Sequence, residues 1–171
     1  MLKMVTGLRD LDFGALMEVY REGNLENGAE LWPEEPEGRR LQLAEESFYR
    51  YLREGFFPVP GAVYALWMEE GACVSALRLE PYRDGTLLEA LETRPDVRNR
   101  GYAGRLLEAV ALWLEGQGGT KLYSHVSRRN AVSLAVHGKC GFRQVLDYAV
   151  YVDGSVNRRA VTLLRTIPGE S

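Results

Sequence analysis

Histidine and cysteine are almost missing from this chain, with two of each in 171 residues. A zinc site of the usual Cys/His kinds would consume His125, His137, Cys73 and Cys140 together, yet no C-x-x-C or H-E-x-x-H pairing places them as ligands, so no metal is expected. A disulfide scaffold is excluded on the same count, and Cys73 and Cys140 are expected to be buried thiols. A basic excess is also lacking. Lys plus Arg is 21 against 24 for Asp plus Glu, a formal charge of −3. No Lys/Arg-rich stripe suits the neutralisation of phosphates along a nucleic acid, so no nucleic-acid partner is expected. Nor does an uninterrupted apolar run of about 18 residues occur, and the first residues lack the apolar stretch of a signal peptide. The expectation is no membrane span and a cytoplasmic protein. What is present is an apolar fraction of 46%. That content suits one compact domain over residues 1–171.

Hydrophobic periodicity orders the elements. Leu2 to Val5 reads as a strand. Leu11, Leu16, Val19 and Tyr20 then recur at helical spacing behind Asp10, a candidate cap. From Gly23 to Arg40 the period fails, and an acidic loop or broken helix carrying Glu26, Glu30, Glu34, Glu35 and Glu37 is expected. Leu41, Ala44, Phe48, Tyr51 and Leu52 line a second helix. Ala62 to Met68, Ala72 to Leu79 and Leu87 to Thr93 read as three strands, whose short connections require an antiparallel meander. A helix through Leu106 to Leu114, a strand from Lys121 to Val126, a helix from Asn130 to Lys139 and strands Gln144 to Val152 and Ala160 to Thr166 complete the chain. The order β-α-α-β-β-β-α-β-α-β-β predicts an α/β fold of α+β type. It is a mostly antiparallel mixed sheet of about seven strands with helices on both faces.

The stretch Leu91 to Leu107 is the richest in chemistry. A strand runs into Pro95, a basic turn follows, and Gly101, Ala103 and Gly104 stand at the start of an amphipathic helix. Small residues there let an anion approach unpaired N–H groups, where the helix dipole, Arg98, Arg100 and Arg105 add positive charge. A pyrophosphate is the ligand this suggests. The turn is neither a P-loop, for want of G-x-x-x-x-G-K-[ST], nor a dinucleotide fingerprint, for want of the first G-x-G.

Arg98-Asn99-Arg100-Gly101-Tyr102-Ala103 resembles the Arg/Gln-x-x-Gly-x-Gly/Ala acyl-coenzyme A signature of the Gcn5-related N-acetyltransferase (GNAT) family, with Pro95 in the family's place before it. Downstream, Asn130, Ser133, His137, Gly141 and Phe142 resemble its second signature, Asn-x-x-Ala/Ser-x-x-x-Tyr-x-x-x-Gly-Phe. The resemblance implies acetyl-coenzyme A as acyl donor, with the main chain of Arg98, Asn99, Arg100, Gly101, Tyr102, Ala103 and Gly104 on its pyrophosphate. Leu91 and Thr93 would pair with the pantetheine arm, Asn130 would bond its other side, and a main-chain N–H of Leu91 or Thr93 would serve the oxyanion. The acceptor implied is an amine, small or on a protein, that attacks the thioester directly in a ternary complex. An inactive acyl-coenzyme A sensor is the alternative.

Four side chains are candidates for the proton steps. His137 stands where the family has a Tyr that serves the departing sulfur. His125 lies near the end of its strand and shares a face with Tyr123, opposite Leu122, Ser124 and Val126. Glu89 and Glu92 are expected on opposite faces of their strand by simple alternation, so that one of them looks into the cleft. The acceptor wall is expected from Leu11 to Phe57, with Trp32, Phe48, Tyr49, Tyr51, Phe56 and Phe57 beside the acidic stretch. The strand Ala160 to Thr166 is expected to offer an edge for pairing with a second copy.

Overall fold

A computed structural model describes residues 1–168. Seven strands form one sheet in the order β1-β2-β3-β4-β5-β9-β6. These are β1 (Leu2–Val5), β2 (Val63–Glu69), β3 (Ala72–Tyr82), β4 (Gly85–Thr93), β5 (Lys121–Ser127), β6 (Arg143–Leu146) and β9 (Ala160–Thr166). A two-stranded ribbon of β7 (Ala149–Val150) and β8 (Val156–Asn157) stands apart from it. Five helices, α1 (Phe13–Val19), α2 (Arg21–Leu31), α3 (Glu37–Tyr51), α4 (Tyr102–Gly116) and α5 (Ala131–Lys139), flank the sheet. No helix among the described residues is long and apolar enough to cross a membrane.

Strand alternation divides the apolar residues between two cores. In β2, Val63 and Ala65 join Leu106, Leu107, Val110 and Leu114 of α4, whereas Tyr64 and Leu66 join Leu16 and Val19 of α1, Tyr20 just after it, and Leu52 and Phe56. The same division runs along β3, where Leu77 and Leu79 face α4 and Ala76 faces α1. Cys73 and Cys140 are free, buried thiols.

Four expectations need correction. Of the loop or broken helix expected from Gly23 to Arg40 the broken helix is what forms, but with a full helix over residues 21–31 and the break confined to 32–36, because α2 docks on α3 through small residues and not through an apolar stripe. Its buried residues are Asn24 and Gly28, and a Cβ on Gly28 would lie 2.8 Å from the Arg40 carbonyl oxygen. The cap of α1 is Asp12, whose carboxylate accepts from the Ala15 N–H at 3.0 Å, while Asp10 closes a preceding 3-10 turn. The expected strand Gln144 to Val152 is two strands, β6 and β7, parted at Asp147 and Tyr148. Finally, β9 is no edge: it is held between β5 and β6, and the edge beyond it is β6.

The sheet's one parallel pair positions the site. β4 and β5 pair at Thr86 with Leu122, Leu87 with Tyr123 and Leu88 with Ser124, and then part. At the closed end Asp84 accepts from Lys121 Nζ at 2.5 Å and from the Tyr123 hydroxyl at 2.6 Å. Beyond Leu88 the side of β4 toward β5 has no strand neighbour, a stretch that includes Leu91 and Thr93.

Candidate active site

The gap between the parted strands is a cavity of about 140 Å³ lined by Leu88, Ala90, Leu91, Ser124, His125, Val126 and Ser127 of the two strands, with Asn130, Ser133 and His137 beyond them. Both histidines of the chain therefore meet at one cavity, from opposite faces of the sheet.

At its mouth lies the start of α4. Gly101 is the N-cap at φ +81°, a left-handed conformation that a Cβ disfavours, and Asn99 before it has φ +64°. Arg105 N–H is the first amide of α4 to reach a carbonyl outside the helix body, that of Gly101 at 3.1 Å. The amides of Tyr102, Ala103 and Gly104 are the unpaired first-turn donors of a helix, and they stack with the dipole's positive end. Arg98 turns away from this cradle. Its guanidinium pairs with Glu22 at 3.0 Å and lies 3.8 Å from Glu92. Arg100 is exposed.

Asn130 caps α5, its Oδ1 accepting from the Ser133 N–H at 3.0 Å. That leaves its Nδ2 as the end available to a ligand. Two turns on from Asn130, His137 is 1% exposed and uses both ring nitrogens. Nδ1 is 2.7 Å from the Ser133 carbonyl oxygen, with the Ser133 hydroxyl at 3.3 Å, and Nε2 is 2.9 Å from Ser124 Oγ. A carbonyl can only accept, so Nδ1 carries the ring proton and Nε2 accepts from Ser124. Burial pushes the imidazole below its usual range, with the Ser133 carbonyl opposing. The ring is thus neutral at pH 7 and lines the cavity beside the Ser124 hydroxyl. The alternation Leu122, Ser124, Val126 placed a hydroxyl at a buried apolar position, and that was the signal for Ser124, which no motif marked.

On the opposite face His125 stands edge-on between the rings of Tyr82 at 5.7 Å and Tyr151 at 5.5 Å. Tyr151 follows β7, which is tied down by the Tyr82 hydroxyl donating to the Val150 carbonyl at 2.5 Å. His125 Nε2 is buried without a hydrogen-bond partner. Burial, then Arg83, lowers its pKa.

Glu89 and Glu92 do not fall on opposite faces. Glu89 pairs with Arg78 and Glu92 with Ala76, two residues apart on β3, so both carboxylates share the face of Ala76 and Arg78. The cause is a bulge that sets Ala90 and Leu91 against Leu77 alone. Ala90 has φ +55°, and its carbonyl accepts from the buried Tyr20 hydroxyl at 2.7 Å. Simple alternation cannot foresee such an extra residue.

Arg78 organises this face. Its guanidinium lies 3.7 Å from Glu89 and over the rings of Tyr51 at 4.9 Å, Phe56 at 5.7 Å and Phe48 at 5.9 Å. Burial, reinforced by Glu80 and opposed by Arg78, pushes the Glu89 carboxyl up to about 7. Glu80 is raised as well, by burial against the attraction of Arg78. Burial also raises Glu92, with Arg98 opposing and Glu22 and Glu26 of α2 adding to it. Of the expected wall, Phe56 is core and Phe48 packs on Tyr20, while Tyr49 and Tyr51 stay exposed.

A splayed parallel pair, a bulged strand beside it and a glycine-capped helix at its mouth form a site made for a strand-like ligand ending in an anion. The model of the acetyltransferase (GNAT) family matches residues 21–142. The chain belongs to that family. Its fold is shared along the whole length by solved GNAT structures. The ribosomal-protein-S18-alanine N-acetyltransferase of Escherichia coli superposes with a TM-score of 0.60 at 19% identity, covering 100% of this chain and 97% of its own. The PaiA N-acetyltransferase of Thermoplasma acidophilum, solved with coenzyme A, gives 0.61 at 14% identity, covering 97% of this chain and 99% of its own. The ribosomal-protein-alanine N-acetyltransferase of Brucella melitensis gives 0.62 at 19%, covering 98% and 99%. No curated protein matches the sequence. At these identities the likeness is one of GNAT fold.

Proposed function

We propose that this GNAT protein moves an acetyl group from acetyl-coenzyme A to a primary amine by direct attack in a ternary complex. The observation that carries this reading is the gap between β4 and β5, open beyond Leu88 and Ser124, with the start of α4 at its mouth. In it the first-turn amides of α4 and the main chain of Arg98 to Gly101 hold the pyrophosphate. The unpaired side of β4 at Leu91 and Thr93 takes the pantetheine arm as a strand would be taken, and Asn130 Nδ2 bonds its far side. The donor supplies the acetyl carbonyl carbon and a thiolate leaving group. An oxyanion forming on that carbonyl meets main-chain N–H groups of the unpaired stretch.

The acceptor enters over the face of Arg78, Glu80, Glu89 and His125. An amine arrives protonated and must become neutral before it attacks. Glu89, with a carboxyl pushed up to about 7, is matched to removing that proton near neutral pH. The two other raised carboxyls, Glu80 and Glu92, favour a cationic partner on the same face. Release of free thiol from acetyl-coenzyme A across an amine panel tests the reading. Turnover with a cationic primary amine is expected. A second reading, an acyl-coenzyme A sensor without turnover, is favoured by the neutral His137 in the place of the family's Tyr, and tight coenzyme A binding with no thiol release would establish it.

A further inference from the structure

The two histidines hold their protons differently, and one of them is part of a finished hydrogen-bond chain. Ser124 is 1% exposed, yet it stands where the two strands part and lines the cavity. Its hydroxyl is 2.9 Å from His137 Nε2, and the ring is anchored at Nδ1 by the Ser133 carbonyl at 2.7 Å. The ring packs edge-on to Phe142 at 4.9 Å. Ser124 thus donates to the ring and has its two oxygen lone pairs free to accept from the cavity. A hydroxyl backed by an imidazole, itself held by a third group, is an arrangement that accepts a proton and returns it.

The geometry points to Ser124 and His137 as a proton-relay dyad that carries the proton lost by the acceptor nitrogen to the departing sulfur. This rests on the acyl-transfer reading above. As the neutral amine's nitrogen bonds to the thioester carbon, the carbonyl electron pair moves onto oxygen and the nitrogen becomes cationic. One N–H proton passes to Ser124 Oγ while the seryl proton passes to His137 Nε2. The carbonyl then re-forms, the C–S bond breaks with its electron pair on sulfur, and the hops reverse: Nε2 returns its proton to Oγ and Oγ gives one to sulfur. Amide and free thiol result, and the dyad is back in its starting form. Ser124 is the catalytic residue of the pair, and His137 acts through it as a positioning and proton-holding residue.

Leaving-group dependence tests the dyad. Ser124→Ala and His137→Gln are compared with wild type on acetyl-coenzyme A and on the acetyl thioester of 4-nitrothiophenol, whose thiolate departs without a proton. Gln keeps a partner for the Ser124 hydroxyl but has no proton equilibrium, so that variant remains informative if Ser124→Ala fails to fold. Both variants should lose roughly 10²-fold on acetyl-coenzyme A and less than about threefold on the aryl thioester. Equal losses on the two donors would overturn the relay. A proton inventory on acetyl-coenzyme A is an independent reading. The two-proton hop curves the wild-type rate against deuterium fraction and His137→Gln straightens it, whereas a straight line for wild type defeats the proposal. An acetyl group found on Ser124 by mass spectrometry after mixing with acetyl-coenzyme A alone also overturns it, since the hydroxyl would then be a nucleophile. Wild-type thiol release with an amine reports on the acyl-transfer reading itself, so the two failures are distinct.

Discussion

The two faces that meet at the gap between β4 and β5 manage protons in opposite ways. On the α5 side, both ring nitrogens of His137 are hydrogen-bonded, one of them to Ser124, and burial lowers the ring's pKa against the opposing Ser133 carbonyl. On the α1 to α3 side, Glu80, Glu89 and Glu92 are carboxyls pushed up by burial around one guanidinium. The first face fixes a tautomer by geometry. The second tunes a charge by desolvation. On the acyl-transfer reading proposed above, a cationic acceptor would meet the second and a neutral thioester the first.

The sharpest way to break this contrast is Glu89→Gln. We expect kcat/KM for the amine to fall by about 10²-fold or more, coenzyme A affinity to hold, and the limb that rises through about pH 7 in wild type to vanish. The sign follows from the base being competent only when deprotonated. The same substitution should raise thermal stability above pH 7, by on the order of 1–3 kcal/mol. Glu89 binds its proton more tightly in the folded state than in the unfolded one, so the native protein loses stability as pH climbs from the ordinary Glu value toward 7, and Gln removes that loss. Thermal melts of both proteins at pH 5 and 8 measure it; an unchanged difference between them would remove Glu89 from the desolvated set.

Next in size is the main-chain cradle. Gly101→Val must hold a β-branched residue at φ +81° or shift the amides after it, and we expect coenzyme A affinity to drop by more than about tenfold. Arg98→Ala, which loses only ion pairs to Glu22 and Glu92, should cost less than about threefold. Isothermal titration with coenzyme A ranks the two. A smaller effect is expected of Tyr20→Phe, which frees the Ala90 carbonyl at the bulge. A loss of about 1 kcal/mol in a denaturant titration is the expected outcome. Smallest is His125→Phe, which retains an aromatic edge between Tyr82 and Tyr151. It should change kcat by less than about threefold. If that variant and not Glu89→Gln flattens the pH profile, the base is His125 and the contrast between faces fails.

Much of this architecture was legible because it is written in local patterns. The meander from Ala62 to Thr93 follows from alternation and turn residues, and the cradle from a basic turn with Gly101 ahead of an amphipathic helix. The misses share a cause, which is dependence on a neighbour distant in sequence. Residues 21–31 form a helix because Gly28 can press on Arg40. β9 is internal because β6 pairs on its far side. In the site, Gly101 and His137 could be placed from motifs, whereas Arg78 and Glu80 could not. Their roles come from a burial that only the packed sheet against Phe48, Tyr51 and Phe56 creates.

The bulge at Ala90 also makes β4 a counting device. Face assignment along a strand is a parity, and one surplus residue inverts that parity for all that follow it. Deleting Ala90 would leave Leu91, Glu92 and Thr93 on their present faces, because Glu89, Leu91 and Glu92 would then oppose Arg78, Leu77 and Ala76 in regular alternation, whereas straightening the bulge with Ala90 kept would send Glu92 toward the α4 core and Leu91 toward the guanidinium of Arg78. Substitutions in this strand alter one side chain at a time. A strand of the same length without the bulge would exchange the face of Arg78 for the core face beyond Glu89, so the assignment of Leu91, Glu92 and Thr93 hangs on one irregular step in the ladder.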